Sequence, residues 1–154
     1  MRRSLQALAA IIISGILLLP GACLEISCID ETEAYVKAGF YSNATKNPAV
    51  PESLTLYGLN MDSAIYNKVK LTPPALLPLD DSSDVSTFVI TINGIIDTIE
   101  FRYWSYPHLV SKECGYSMFH TVDTIFFTRH AIVSIAKKNN NITTSNVENI
   151  SIFY

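Results

Sequence analysis

Two runs of alternating apolar and polar residues meet at Asn93-Gly94, and this pattern commits the middle of the chain to a β-hairpin. Phe88, Ile90 and Ile92 alternate with Thr87, Val89 and Thr91 before the dipeptide, and Ile99, Phe101 and Tyr103 alternate with Thr98, Glu100 and Arg102 after it. A period of two sends alternate side chains to opposite faces of a strand. Asn-Gly suits the connection because a tight primed turn needs positive φ at both central positions, which Asn and Gly adopt at little cost. One face of the hairpin is therefore apolar and the other wetter, as in an antiparallel sheet that covers a core on one side. Glu100 and Arg102 then read as part of a solvated face.

The same period recurs elsewhere, and the helix period almost nowhere. Glu33 to Tyr41, Ser53 to Tyr57 and Ala64 to Lys70 read as strands, separated by connections that hold Pro48, Pro51 and Pro73-Pro74. Pro107 interrupts the pattern, after which Leu109 to Cys114 reads as a further strand. Met118 to Phe127 is rich in β-branched and aromatic residues without clean alternation. Ala131 to Ala136 reads as a strand that stops at Lys137-Lys138 and an Asn139-Asn140-Asn141 turn, and Ile150 to Tyr154 alternates to the end. About seven to nine short strands at this spacing predict an all-β, immunoglobulin-like antiparallel β-sandwich. With 154 residues the chain suits one such domain, and its 7 Phe, 8 Tyr and single Trp exclude a disordered chain. Eleven basic residues against 14 acidic ones leave no positive surface for phosphates, which excludes a nucleic-acid partner.

Residues 1–22 read as an export signal. Arg2 and Arg3 precede an apolar run from Leu5 to Leu19, shorter than the roughly 20 residues that a spanning helix needs, and Pro20-Gly21-Ala22 breaks the helix beside small residues. Cys23 directly after Gly21-Ala22 resembles the lipobox of bacterial lipoproteins, although Pro20 stands where a lipobox usually has leucine. The resemblance implies an acylated Cys23 as the mature N-terminus, residues 23–32 as a tether and 33–154 as the sandwich domain; ordinary signal cleavage is the alternative. Without the signal, nine basic residues face 14 acidic ones, so the net charge moves from −3 to −5. Export leads to an oxidising compartment. If Cys23 is acylated, Cys28 and Cys114 remain to pair with each other or to stay as free thiols.

Several phrases occur together: Ala38-Gly39-Phe40-Tyr41, Leu54-Thr55-Leu56-Tyr57-Gly58, Leu77-Pro78-Leu79-Asp80, Asp97-Thr98-Ile99 and Val110-Ser111-Lys112-Glu113-Cys114-Gly115-Tyr116. With Cys23 and Cys28 ahead of them, the chain resembles an uncharacterised family of small Bacteroides-type cell-envelope lipoproteins, over nearly the whole mature length. The resemblance implies a β fold, a lipid-anchored place in the envelope, facing periplasm or cell surface at the outer membrane, and a Cys28–Cys114 disulfide. It implies no activity.

Candidate sites are sparse. His108, His120 and His130 are spaced as no metal motif is, so turn or surface histidines are expected and no metal or cofactor. Asp80, Asp81 and Asp84 lack the glycine and distal glutamate of a calcium loop, and an Asx-type turn into the next strand is expected. No nucleophile elbow or phosphate loop occurs, so no catalytic residue is expected. Asn43, Asn141 and Asn149 begin Asn-x-Ser/Thr triplets and read as turn asparagines. Tyr103, Trp104 and Tyr106 form an aromatic cluster able to stack on a glycan or an envelope protein. The expectation is a non-enzymatic structural or binding module held at a membrane by its lipid. A small outer-membrane β-barrel and a pilus-type subunit are the rivals.

Overall fold

The structure is a computed structural model that describes residues 27–59 and 61–154. The expected signal and Cys23 lie outside the described residues. Ten strands and no helix occur among the described residues: β1 (Tyr35–Tyr41), β2 (Leu54–Gly58), β3 (Tyr66–Val69), β4 (Ala75–Pro78), β5 (Val85–Ile92), β6 (Ile95–Ser111), β7 (Gly115–Phe127), β8 (Ser134–Lys137), β9 (Asn141–Ile142) and β10 (Ile150–Phe153). They form a four-stranded sheet in the order β4-β1-β10-β8 and a six-stranded sheet in the order β3-β2-β5-β6-β7-β9. The fold is all-β, with two sheets around one core.

The central hairpin follows its sequence pattern. β5 and β6 pair from Val85↔Arg102 to Ile92↔Ile95. Asn93 and Gly94 turn the chain with φ of 50° and 89°, the primed-turn geometry that their side chains permit. Phe88, Ile90, Ile92, Ile99, Phe101 and Tyr103 are all buried, and Arg102 is exposed and bonded to the Glu100 carboxylate at 3.1 Å. Phe88 and Phe101 meet edge to face with ring centres 6.0 Å apart, an arrangement that the ring quadrupoles favour. Val36, Ala38, Phe40, Ile150 and Ile152 of the smaller sheet complete the same core.

Four features depart from the sequence reading. First, β6 runs straight through Pro107, which pairs with Met118 of β7. Beyond Arg102, β7 alone of the described strands still flanks β6, because β5 begins at Val85; this makes β6 an edge there, where a strand admits proline. Second, β4 and β9 bring the count to ten. They have four and two residues, too few for alternation to be read. Third, β8 starts at Ser134, later than expected, because the backbone N–H groups of Ala131 and Ile132 are taken by the Asp97 carboxylate.

Fourth, β1 and β10 are parallel, with Ala38 opposite Ile150 and Phe40 opposite Ile152, in a fold otherwise antiparallel. Parallel neighbours need a long crossover, and almost the whole domain lies between these two. β1 is also covered on its second face. Asn149, 3% exposed, accepts the Lys37 N–H at 2.9 Å and donates its own N–H to the Lys37 carbonyl at 2.8 Å. Next to it, Glu148 accepts from Tyr41 Oη at 2.9 Å and from Ser151 Oγ at 2.6 Å. A Cβ on Gly39 would run into the Glu148 carboxylate and the Tyr41 ring, so any larger residue would displace this bonded pair.

Candidate functional site

The 17 residues of β6 and the 13 of β7 make the longest strand pair among the described residues, and the part beyond Arg102 extends past β5 as an arm, flanked by β9 at His120 and Thr121 and two-stranded from Tyr106 to its tip. A register shift between Arg102 and Tyr103 marks its base, as expected where a ladder changes twist. On its outer face Trp104, Tyr106 and His108 succeed one another at the strand period. Trp104 is 57% exposed and lies against Tyr106 with ring centres 5.1 Å apart and a 34° tilt. Phe119, opposite Tyr106, meets that ring edge-on at 6.2 Å and stacks on His108 at 4.4 Å and 17°. Just below, Arg102 lies over the half-exposed Phe126, 5.1 Å from its centre. The result is an aromatic ladder whose rings are fixed by neighbours on the opposite strand, with a charged pair at one end.

The sequence cluster is thus split by the pleat. Trp104 and Tyr106 share the outer face, whereas Tyr103 is buried on the other. Its hydroxyl is bonded to Ser86 Oγ at 2.7 Å, donates to the Asp80 carbonyl at 2.9 Å and accepts the Asp80 N–H at 3.0 Å. Burial raises the Tyr103 pKa, and the bonds from Ser86 and Asp80 oppose that rise. Tyr103 is a structural post and does not line the ladder.

His120 is neither a turn nor a surface residue: it sits in β7, 1% exposed, with the Tyr103 ring edge-on at 5.3 Å. Ser105, its cross-strand partner, lies 2.8 Å from Nδ1, and Asp81 lies 3.5 Å from Nε2. Burial pushes its pKa down and Asp81 only partly opposes this, so the ring is neutral at neutral pH. A neutral imidazole carries one N–H, and facing Asp81 with it leaves Nδ1 to accept the Ser105 proton. These are the residue types of an acyl-transfer triad. The imidazole is, however, closed off from solvent by Tyr103, and the cluster ties the 80–82 turn to both strands of the arm.

At the tip of the arm, Gly115 takes a φ of 74° and the Cys114 N–H bonds to Ser111 Oγ at 3.1 Å. Cys28 and Cys114 stand at disulfide distance, with Cα atoms 4.7 Å apart and the residues 86 positions apart in sequence. Ser117 Oγ adds a bond to the Thr32 carbonyl. The segment around residues 28–32 is therefore fastened along the arm. Between the two runs a polar cleft of about 360 Å³, lined by Thr32, Tyr35, Asp81, Tyr116 and Ser117.

The remaining sequence candidates are accounted for by local bonding. Asp80 forms the expected Asx turn, its Oδ1 accepting the Ser82 N–H at 2.8 Å. No group of three or more potential metal ligands occurs among the described residues. His108 stacks in the ladder, and His130 turns its ring toward Asp97 at 3.0 Å. Two residues escaped the sequence reading. Asn149 is a buried connector, not a turn residue: its amide also donates to the carbonyls of Asn139 and Asn141, at 3.3 and 3.1 Å. Asp97 is fully buried at the foot of β6 and carries the 128–132 loop. Its only sequence signal was an acid at a position facing the apolar side of the hairpin, two residues before Ile99.

No curated protein and no solved structure matches the chain. Residues 53–154 match a family of unknown function, DUF6452. The match takes in the arm and Cys114 but begins after β1 and Cys28, so it is shorter than the resemblance drawn from the sequence phrases. With about two thirds of its length matched, the chain belongs to this family of unknown function, DUF6452.

Proposed function

We propose that the protein is an exported, non-enzymatic binding module of the Bacteroides-type cell envelope, tethered by acyl chains on Cys23, whose contact surface is the outer aromatic ladder of the β6–β7 arm. The observation that carries the reading is the Cys28–Cys114 pair at disulfide distance. Such pairs persist in oxidising compartments and are rare in the cytosol. It agrees with the signal-like residues 1–22 and with the lipobox-like Gly21-Ala22-Cys23. More than one acyl chain on Cys23 makes a stable anchor.

The ladder favours binding because Trp104 and His108 are exposed and yet held by the rings of Tyr106 and Phe119, so little side-chain entropy is lost when a partner stacks on them. A membrane barrel is the weaker alternative: both sheets end in edge strands, β4 and β8 in one and β3 and β9 in the other, whereas a spanning barrel must close. Intact mass of the protein recovered from envelope membranes tests the tether. The expected product starts at Cys23, carries acyl mass and lacks the hydrogens of one cystine. Recovery with Met1 attached, or with an unmodified Cys23, refutes it. Trp104 is the single tryptophan, so its emission reports stacking at the ladder. Envelope glycans and solubilised envelope proteins that bind should shift it; binding with unchanged emission places the contact surface elsewhere.

A further inference from the structure

The strands bring Leu109 and Tyr116 opposite each other at the tip of the arm, 48% and 73% exposed. Cys114, two residues from Tyr116, holds Cys28 at this same tip, and Ile29 beside Cys28 is 92% exposed. Three large apolar side chains thus stand uncovered at one end of the molecule. That end is also where the chain leaves for Cys23. Cys23 lies five positions before Cys28, and even a fully extended chain of that length spans no more than about 18 Å. An acylated Cys23 therefore holds the tip within that distance of the lipid surface.

From this juxtaposition we infer that the arm tip, through Ile29, Leu109 and Tyr116, inserts into the headgroup boundary of the membrane that holds the lipid anchor. The inference rests on the proposed acylation of Cys23. Tyrosine suits such a boundary, since its ring is apolar and its hydroxyl stays wet. Charge selects the kind of surface. Asp30 and Glu33 stand beside Cys114, and Glu113 adjoins it in sequence, against Lys112, a balance repelled by anionic lipids and tolerated by zwitterionic ones. The occupant is thus a zwitterionic lipid surface, and the pairing of Cys28 with Cys114 is what keeps the tip beside it. Trp104, further down the arm, remains in water with its ladder free to bind.

Quenching by brominated lipid tests this on the full-length, acylated protein in phosphatidylethanolamine–phosphatidylcholine vesicles. In a Trp104→Phe background, Tyr116→Trp places the only indole at the tip, at a position exposed enough to accept it. Insertion about 5 to 10 Å deep predicts loss of about half its emission in brominated vesicles. Trp104 in the natural protein should lose none. Vesicles rich in phosphatidylglycerol should quench the tip less, and so should adding Cys28→Ser and Cys114→Ser, which free the tip without removing the anchor. Protein that floats with the vesicles while its tip indole stays unquenched overturns the inference and leaves the tether standing. Protein that does not float overturns both.

Discussion

Asp97 shows how much one buried carboxylate can organise. It accepts five hydrogen bonds, from Thr128 Oγ1 at 2.6 Å, His130 N and Nδ1 at 2.9 and 3.0 Å, Ala131 N at 2.7 Å and Ile132 N at 2.9 Å. Burial alone would raise its pKa, but the bonds from Thr128 and the backbone N–H groups outweigh burial and hold it below the ordinary value. Asp97→Ala strands those donors and should cost at least about 2 kcal/mol in chemical denaturation; an unchanged midpoint would show that the loop stands without it. The sign of the pH dependence follows. Asp97 stabilises the fold above the ordinary aspartate pKa of about 3.9, and that contribution fades as pH falls through the lower folded value. His120 acts at milder pH. Its lowered folded pKa means that the unfolded chain takes the proton first, so stability should drop as pH falls below about 6.5. Melting curves between pH 7 and 5 should show a shallower drop in His120→Gln, and identical slopes would assign the loss to other groups. At the exposed Trp104, alanine should leave stability within about 1 kcal/mol while removing binding at the ladder. Equal loss of both would make Trp104 a packing residue.

Among the elements, the β5–β6 hairpin was the most legible and the β6–β7 arm the least. Asn93-Gly94 announces the first turn, and replacing Gly94 by Ala at φ 89° should destabilise the protein by about 1 kcal/mol or more in equilibrium unfolding. A neutral effect would mean that the turn relaxes to another type. The arm was hidden behind Pro107, which reads as a break unless the strand is known to be an edge. Its tip connection, Lys112-Glu113-Cys114, carries no dipeptide of the primed kind. The Cys28–Cys114 link closes a long loop, and Cys114→Ser should cost roughly 2 to 5 kcal/mol under oxidising conditions, with little difference from the natural protein once both are reduced. A gap that persists under reduction would show packing, not the crosslink, to be responsible. The alternation of β6 also explains the divided aromatic cluster. Adjacent residues on a strand point to opposite faces, so Tyr103 and Trp104 could not both belong to one surface.

Across the whole molecule, the parallel pairing of β1 with β10 joins the first and last described strands at the centre of the smaller sheet. Asn149 ties the two sheets together near that seam, since it bonds both to Lys37 of β1 and to the 139–141 segment that leads into β9. The bond between Asn149 and Lys37 joins residues 112 positions apart, and no local pattern announces it. What the amino-acid order determined by itself was the strand period, the primed turn at Asn93-Gly94, the buried alternation of Phe88 to Tyr103 and the Asx turn at Asp80, because each depends on near neighbours or on a side chain's own φ preference. The tertiary structure alone decided that Pro107 lies on an open edge, that β1 meets β10 in parallel, that His120 and Asp97 are interior, and that Trp104 and Tyr106 form the exposed ladder without Tyr103. Those outcomes depend on which strand lies alongside which, and that choice is set by how two apolar faces find each other in three dimensions.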